Sequence, residues 1–298
     1  MLKKWKEEIT VKIKVPATSA NLGPGFDSIG IAVSLYLTIE VIGTAEKWHV
    51  FHDLGHGLSN SKSNLVVSTA LKIAPNLTPH ELKMTSDIPV TRGLGSSSSA
   101  IVAGIELANQ LAGLNLTDQQ KIDYAAEMEG HPDNVAPAIY GDLVIGSSVN
   151  DKFIAIQAPF PDLSLVAYVP AYELKTSDSR GVLPNNIAFA NATHASAIGN
   201  TFVASIFTKK YQELGKLIEA DMFHEPYRQK LVPEFLPIRK IAHEVGALAT
   251  YLSGAGPTVM TIIDADKIPQ FQESLLAAGF NDDVIPLKID KNGVTVEK

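Results

Sequence analysis

No cysteine occurs among the 298 residues, which removes disulfide bridges and thiolate metal ligands and fits a reducing compartment. No apolar run approaches the length of a membrane span. The charged start, Met1-Leu2-Lys3-Lys4-Trp5-Lys6-Glu7-Glu8, has no hydrophobic segment behind it of the kind a secretion signal carries. Excess positive charge is missing too. With a net charge of −7, neither nucleic acid nor anionic lipid is attracted in general, and an anionic ligand must be met by locally placed cations. Repeats and low-complexity linkers are also absent. The expectation is a soluble, cytoplasmic protein whose partners are neither nucleic acid nor membrane.

What the chain does have is core material. Hydrophobic residues make up 45% and charged residues 19%, enough for one large domain or two ordinary ones. Val11, Ile13 and Val15 alternate with polar residues as in a half-buried strand, and a long loop of small residues is expected over 16–27. Residues 31–41 alternate cleanly, with Ile31, Val33, Leu35, Leu37, Ile39 and Val41 on one face of a long strand. His49, His52 and His56 gather around Asp53, which admits a metal reading. Without cysteine and among glycines, the segment is read as a solvated turn.

A helix is expected over 64–74 and a strand around Leu82 and Met84, with 85–90 read as a short strand ending in a turn. Ile101, Ile105, Ala108 and Ala112 recur at helical intervals. Thr117 to Gln120 forms a capping box that opens a helix running to Glu129. Residues 138–147 are expected to enter a strand around Leu143-Val144-Ile145. Further strands are expected at 153–156, 163–169, 249–252 and 259–263, and helices at 188–207, 211–223, 233–245 and 269–278. Strands and helices mix without strict alternation, which points to the α+β class. A lobe boundary is expected between Asp151 and Asp162.

The segment 92–100, RGLGSSSSA, follows a strand and opens a helix. A helix N-terminus carries unpaired N–H groups and the positive end of the macrodipole, so that order suits an anion. Gly93 and Gly95 admit positive φ and close approach. The serine hydroxyls can reach phosphate oxygens or Mg²⁺. A plain loop closed by a serine N-cap is the competing reading. The common P-loop is excluded because no lysine follows the second glycine, and GxGxxG is not matched either.

Two more loops of small polar residues stand at 16–27 (PATSANLGPGFD) and 253–258 (SGAGPT). Segment 89–98, PVTRGLGSSS, resembles the central ATP-binding motif of the GHMP small-molecule kinases, and 253–258 is similar to their third motif. PATSANLGPGFD resembles the first motif of the homoserine kinase branch of that family, as do 130–138 (GHPDNVAPA) and 175–180 (KTSDSR). The motifs come in the family's order and span essentially the whole chain.

The resemblance implies a two-lobed GHMP kinase fold. A ribosomal-protein-S5-like ATP-binding lobe would occupy 1–155 and a ferredoxin-like lobe 156–298, with the substrate site between them. It implies ATP-dependent phosphorylation of the side-chain hydroxyl of L-homoserine, with Mg²⁺, and a homodimer. Asn64, Pro89, Val90, Thr91, Arg92, Gly93, Leu94, Gly95, Ser96, Ser97, Ser98 and Ser99 would bind ATP. Ser97 and Glu129 would hold the metal, with Glu127 as the rival carboxylate. Asp27 would take the substrate's ammonium, and Arg180 and Arg228 its carboxylate, because a guanidinium binds a carboxylate as a two-pronged fork. Asn21, His131, Asn134 and Thr176 would line the acceptor side. Asn134 would position the hydroxyl and Arg180 stabilise charge in a transfer without a dedicated base, which leaves Asp133 without a role.

Overall fold

Strand pairing around residues 31–41 organises the first half of the chain. The structure, a computed structural model, describes residues 11–55, 57–150 and 152–298. The charged start at 1–8, His56 and Asp151 lie outside the described residues. Strand β1 (Val11–Ala20) pairs antiparallel with β2 (Ile29–Thr44), Val15 opposite Leu37 and Ser19 opposite Ile31. The short β3 (His49–Phe51) and helix α1 (Leu65–Ile73) lead to β4 (His80–Ser86), which pairs antiparallel with β2 and parallel with β3.

Helices α2 (Ser96–Ala112), α3 (Asp118–Glu129) and α4 (Val135–Tyr140) follow, then the hairpin β5 (Leu143–Val149) and β6 (Lys152–Ala158). β5 joins the start of β2. The capping box forms: the Thr117 side chain accepts from the Gln120 amide, and the Gln120 side chain from the Thr117 amide. Every residue of α2 from Ser98 to Asn109 is buried. Gly104 makes that possible, since a Cβ there would lie 2.5 Å from the Val66 carbonyl oxygen of α1.

The second half contains β7 (Ser164–Val169), α5 (Thr176–Gly181), α6 (Phe189–Phe207), α7 (Tyr211–Ile218), α8 (Glu225–Arg228), α9 (Phe235–Val245), β8 (Ala249–Leu252), β9 (Val259–Ile263), α10 (Ile268–Ala277), β10 (Asp283–Leu287) and β11 (Thr295–Glu297). Its sheet has the order β10-β7-β9-β8, antiparallel throughout. The α+β class and the two-lobed plan hold. The division after residue 155 does not follow the sheets. It falls inside β6, which stays paired with β5 as far as Ala158, and β11 returns to pair with β1. Alternation reveals a strand but not its partner, so the return of the chain's end to the first sheet has no local signature.

Other departures have local causes. β1 runs through a bulge at Pro16/Ala17 to Ala20, because small residues are buried on both of its faces, so the loop begins only at Asn21. Residues 135–140 are a helix instead of the approach to a strand. Pro137 sits in its first turn, where no amide is needed. The strand expected at 85–90 ends at Ser86, whose Oγ accepts from the Ile88 amide to make a turn. Helix α7 stops at Ile218 because the Asp221 carboxylate accepts from the amides of Phe223, His224 and Glu225 and starts a new turn, α8. Among the described residues no helix is long and apolar enough to cross a membrane.

Candidate active site

The three small-residue loops meet on one cleft of ≈ 350 Å³ between the lobes. At its centre stands the N-terminus of α2. Gly95 is the N-cap, at φ 69, and no side chain caps the helix. Two of the serines are occupied elsewhere. Ser99 Oγ donates to the carbonyls of Pro16 and Gly95, and Ser98 Oγ donates to Glu129 Oε1 at 3.0 Å. No described residue bonds the amides of Ser96, Ser97 and Ser98. Those donors and the helix dipole face the cleft, which suits phosphate.

The two glycines serve the protein more than the ligand. A Cβ on Gly93 would lie 2.4 Å from the Ser253 carbonyl oxygen, and one on Gly95 2.0 Å from Thr18 Oγ1. Gly93 lets the central loop close on 253–256, where Ser253 Oγ donates to the Gly93 carbonyl, and Gly95 lets it close on Thr18. The Arg92 guanidinium donates to the carbonyls of Val90, Pro170 and Ala171, so its side chain anchors the loop. Val90, Thr91, Arg92, Gly93, Gly95, Ser96, Ser97 and Ser98 line the cleft; Pro89, Leu94 and Ser99 do not. Leu94 is wholly buried in the core instead.

Beyond the glycine loop the wall is apolar, with Leu54, Leu58, Leu65 and Met84. Asn64 also lines it, although its amide is committed: Oδ1 accepts from the Val66 amide as the cap of α1, and Nδ2 donates to the Ser59 carbonyl. An aromatic ring fits this end through burial of its faces.

The other end is charged. Arg180 grips Asp27 as a fork, Nη1 to Oδ2 at 3.0 Å and Nη2 to Oδ1 at 2.7 Å, and the Asp27 carboxylate raises the guanidinium's pKa. Arg228 is only 2% exposed. It donates to the Ser179 and Gly254 carbonyls, and burial, with Arg180 nearby, pulls its pKa down to about 10. Burial works to lower the His131 pKa, but the bond from Nδ1 to Asp133, together with the charges of Asp133 and Asp27, outweighs it and raises the imidazole's pKa. Asn134 Oδ1 accepts from Thr18 Oγ1 at 2.8 Å. Asn21 donates to the Gly254 carbonyl, and its own Oδ1 accepts from the Asp27 amide. Thr176, at the start of α5, completes the wall.

This geometry has known counterparts. Residues 64–142 match the family GHMP kinases N terminal domain, and residues 202–282 match GHMP kinases C terminal. The chain belongs to the GHMP kinases. The homoserine kinase of Limosilactobacillus fermentum is 55% identical over 286 residues, covering 96% of this chain and 100% of that one. A solved structure of a candidate homoserine kinase from Listeria monocytogenes shares 43% identity over 97% of this chain and 99% of that one, with a TM-score of 0.88. The homoserine kinase of Cytophaga hutchinsonii, 28% identical, superposes over 100% of both chains with a TM-score of 0.84.

In this GHMP kinase two groups of side chains compete as a metal site. Asp27, His131 and Asp133 place ligand atoms within 4.8 Å of one another. However, both Asp27 oxygens are held by Arg180, and Mg²⁺ prefers an all-oxygen set. Glu129 with its serine partner fits better. Burial raises the Glu129 pKa, only partly offset by the Ser98 hydroxyl. Such a carboxylate gains most from a cation. The serine that bonds Glu129 is Ser98, while Ser97 is exposed one position earlier. Glu127 is exposed and lines a different depression on the far side of α3.

All the acceptor-side residues named from the sequence come together here. Sequence reasoning missed the apolar wall from Leu54, Leu58 and Met84, the Thr18 contact to Asn134, and the buried chain Tyr251–Ser19–Ser253 that ties the first loop to the third. Thr18, Ser19 and Ser253 lay within quoted motifs but look like ordinary loop residues. His224 carried no signal at all.

Proposed function

We propose that this GHMP kinase transfers the γ-phosphoryl group of ATP to the side-chain hydroxyl of L-homoserine, releasing ADP and O-phospho-L-homoserine on the route to threonine. One observation carries the choice of acceptor. Two acids (Asp27 and Asp133) and two guanidinium groups (Arg180 and Arg228) face one end of a cleft whose centre is a helix N-terminus. A balanced set of opposite charges fits a small zwitterion, and the helix amides fit the nucleotide's phosphates.

Each Asp27 oxygen takes one Arg180 N–H and keeps a lone pair for the substrate's ammonium. Arg228 has spent Nε and Nη1 on protein acceptors, and Nη2 bonds no described residue, so that edge serves the carboxylate. Asn134, held by Thr18 at Oδ1 and by Asp133 at Nδ2, keeps one N–H of Nδ2 for the acceptor hydroxyl. Asp133, 3% exposed, orients His131 and Asn134. The hydroxyl oxygen attacks the γ-phosphorus, the bond to the β-phosphate oxygen breaks with its electron pair leaving on ADP, and the hydroxyl's proton passes to an oxygen of the transferred phosphoryl group and from there to water. The loose transition state needs little prior deprotonation, so positioning and charge carry the catalysis. Mg²⁺ would be held by Glu129 with the Ser97–Ser98 hydroxyls and would neutralise phosphate charge. A homodimer in the cytoplasm completes the reading, and sedimentation tests the assembly.

ADP release measured by a coupled assay tests the function. L-homoserine should give saturable turnover, while (R)-mevalonate, which has no ammonium, should give background. Equal turnover of both, or release with neither, would overturn the assignment. The absence of a base is tested by Asp133→Asn. Turnover within about tenfold of the parent supports it, and a loss of about 10³ in kcat with folding intact contradicts it.

A further inference from the structure

The loop that carries Asp27 is strained. Asn21 (φ 76), Leu22 (φ 45) and Asp27 (φ 54) all lie in the left-handed region. Asn and Asp tolerate it; Leu does not. Gly23 (φ 77) is pressed so tightly on the end of α7 that a Cβ would lie 1.9 Å from the Ile218 carbonyl oxygen. Such a loop keeps its shape only if its surroundings hold it.

His224 reaches both this loop and the substrate's arginine through its side chain. It is 0% exposed. Nε2 lies 3.0 Å from the Gly23 carbonyl oxygen, which can only accept, so Nε2 carries the proton. That leaves Nδ1 as the acceptor for Arg228 Nη1, at 3.4 Å. The ring stacks on Phe26 at 5.4 Å with a 21° tilt. The same Phe26 ring lies 5.2 Å from the Arg228 guanidinium carbon and 5.7 Å from that of Arg180, an aromatic wedge between two like charges. Asp221 (3.6 Å from Nε2) and Arg228 are the charged groups against the imidazole, and Asp27 acts on it from further off. Burial, the dominant effect, holds it neutral, which keeps this tautomer.

We propose that His224 is a positioning residue. By clamping Gly23 and receiving Arg228, it fixes the distance between the acid that reads the acceptor's ammonium and the arginine that reads its carboxylate. It touches no reacting atom and acts through Arg228. The inference rests on the homoserine reading, and its test separates the two.

The test uses the full-length protein, ATP and two alcohols, L-homoserine and 3-aminopropan-1-ol, which lacks only the carboxylate. Turnover of L-homoserine by the unaltered protein reports on the acceptor reading alone. His224→Phe keeps the ring stacking and loses both polar contacts. Its KM for L-homoserine should rise about tenfold or more, with kcat and the KM for ATP within about twofold. For 3-aminopropan-1-ol the parent and the variant should have equal kcat/KM, because the arginine has nothing to read. His224→Gln can still donate to Gly23 and should recover part of the loss. Should the phenylalanine variant not fold, the glutamine variant carries the same comparison, with a rise of about threefold or more expected. An unchanged KM for L-homoserine, an equal loss on both alcohols, or a matching rise in the KM for ATP would overturn the proposal.

Discussion

The loop leading into α2 and the loop between β1 and β2 use the same small residues and treat their hydrogen bonds in opposite ways. The α2 loop locks Gly93 against 253–256 and Gly95 against Thr18, and among the described residues nothing bonds the amides of Ser96, Ser97 and Ser98. The β1–β2 loop leaves almost nothing free. Asn21, Gly23 and Asp27 are tied to Gly254, His224 and Arg180, all from the second half of the chain. Phosphates of any nucleoside triphosphate present the same oxygens, so a backbone cradle suffices for them. Telling one small alcohol from another needs side chains of fixed charge at fixed distance, and those must be braced.

Arg180→Met probes the braced end hardest. It removes the carboxylate fork and leaves Asp27 unpaired, so kcat/KM for L-homoserine should fall about 10³-fold while the KM for ATP holds. A parallel rise in the ATP KM would show that the two ends are not separate. Glu129→Gln probes the phosphate end. Steady-state kinetics should show a fall of about 10² in kcat and a higher Mg²⁺ requirement, without a change in the KM for L-homoserine. Gly93→Ala tests whether that glycine serves the fold. Urea denaturation should show a loss of about 2 kcal/mol, since the new Cβ meets backbone oxygens that cannot move aside.

The smallest effect lies in pH dependence at α8. His224 is held neutral below its usual pKa, so as pH falls through about 6.5 the unfolded chain binds a proton that the fold refuses, and stability declines. Burial pushes Glu225 the other way, up to about 7 despite Arg239. The fold therefore holds a proton that the unfolded chain loses above about 4.3, and this contribution fades as pH rises through 7. The slopes oppose each other, each at most about 1.4 kcal/mol per pH unit. Thermal melts between pH 5 and 6.5 should show stability falling more with pH in His224→Phe than in the parent, and rising more in Glu225→Gln.

Periodic segments were plain in the sequence. The 31–41 alternation, the Thr117 capping box and the helices after Ala188 and Pro233 stand where periodicity puts them. Short elements were not, since α5 and α8 span too few residues to show a period, yet they carry Arg180 and Arg228. Position along the chain likewise hid that β11 closes the first sheet. The site's charged residues were legible because they sit in motifs of fixed order. Their braces were not. Thr18 and His224 bond Asn134 and Gly23, each more than a hundred residues away, and only folding creates that proximity.

The claim that the braced end reads a zwitterion is tested most directly by removing the ammonium from the substrate. With saturating ATP, kcat/KM should be measured for L-homoserine and for 4-hydroxybutyrate, which keeps the hydroxyl and the carboxylate. A preference of about 10² or more for L-homoserine is expected, with an unchanged KM for ATP. Comparable turnover of the two would contradict it.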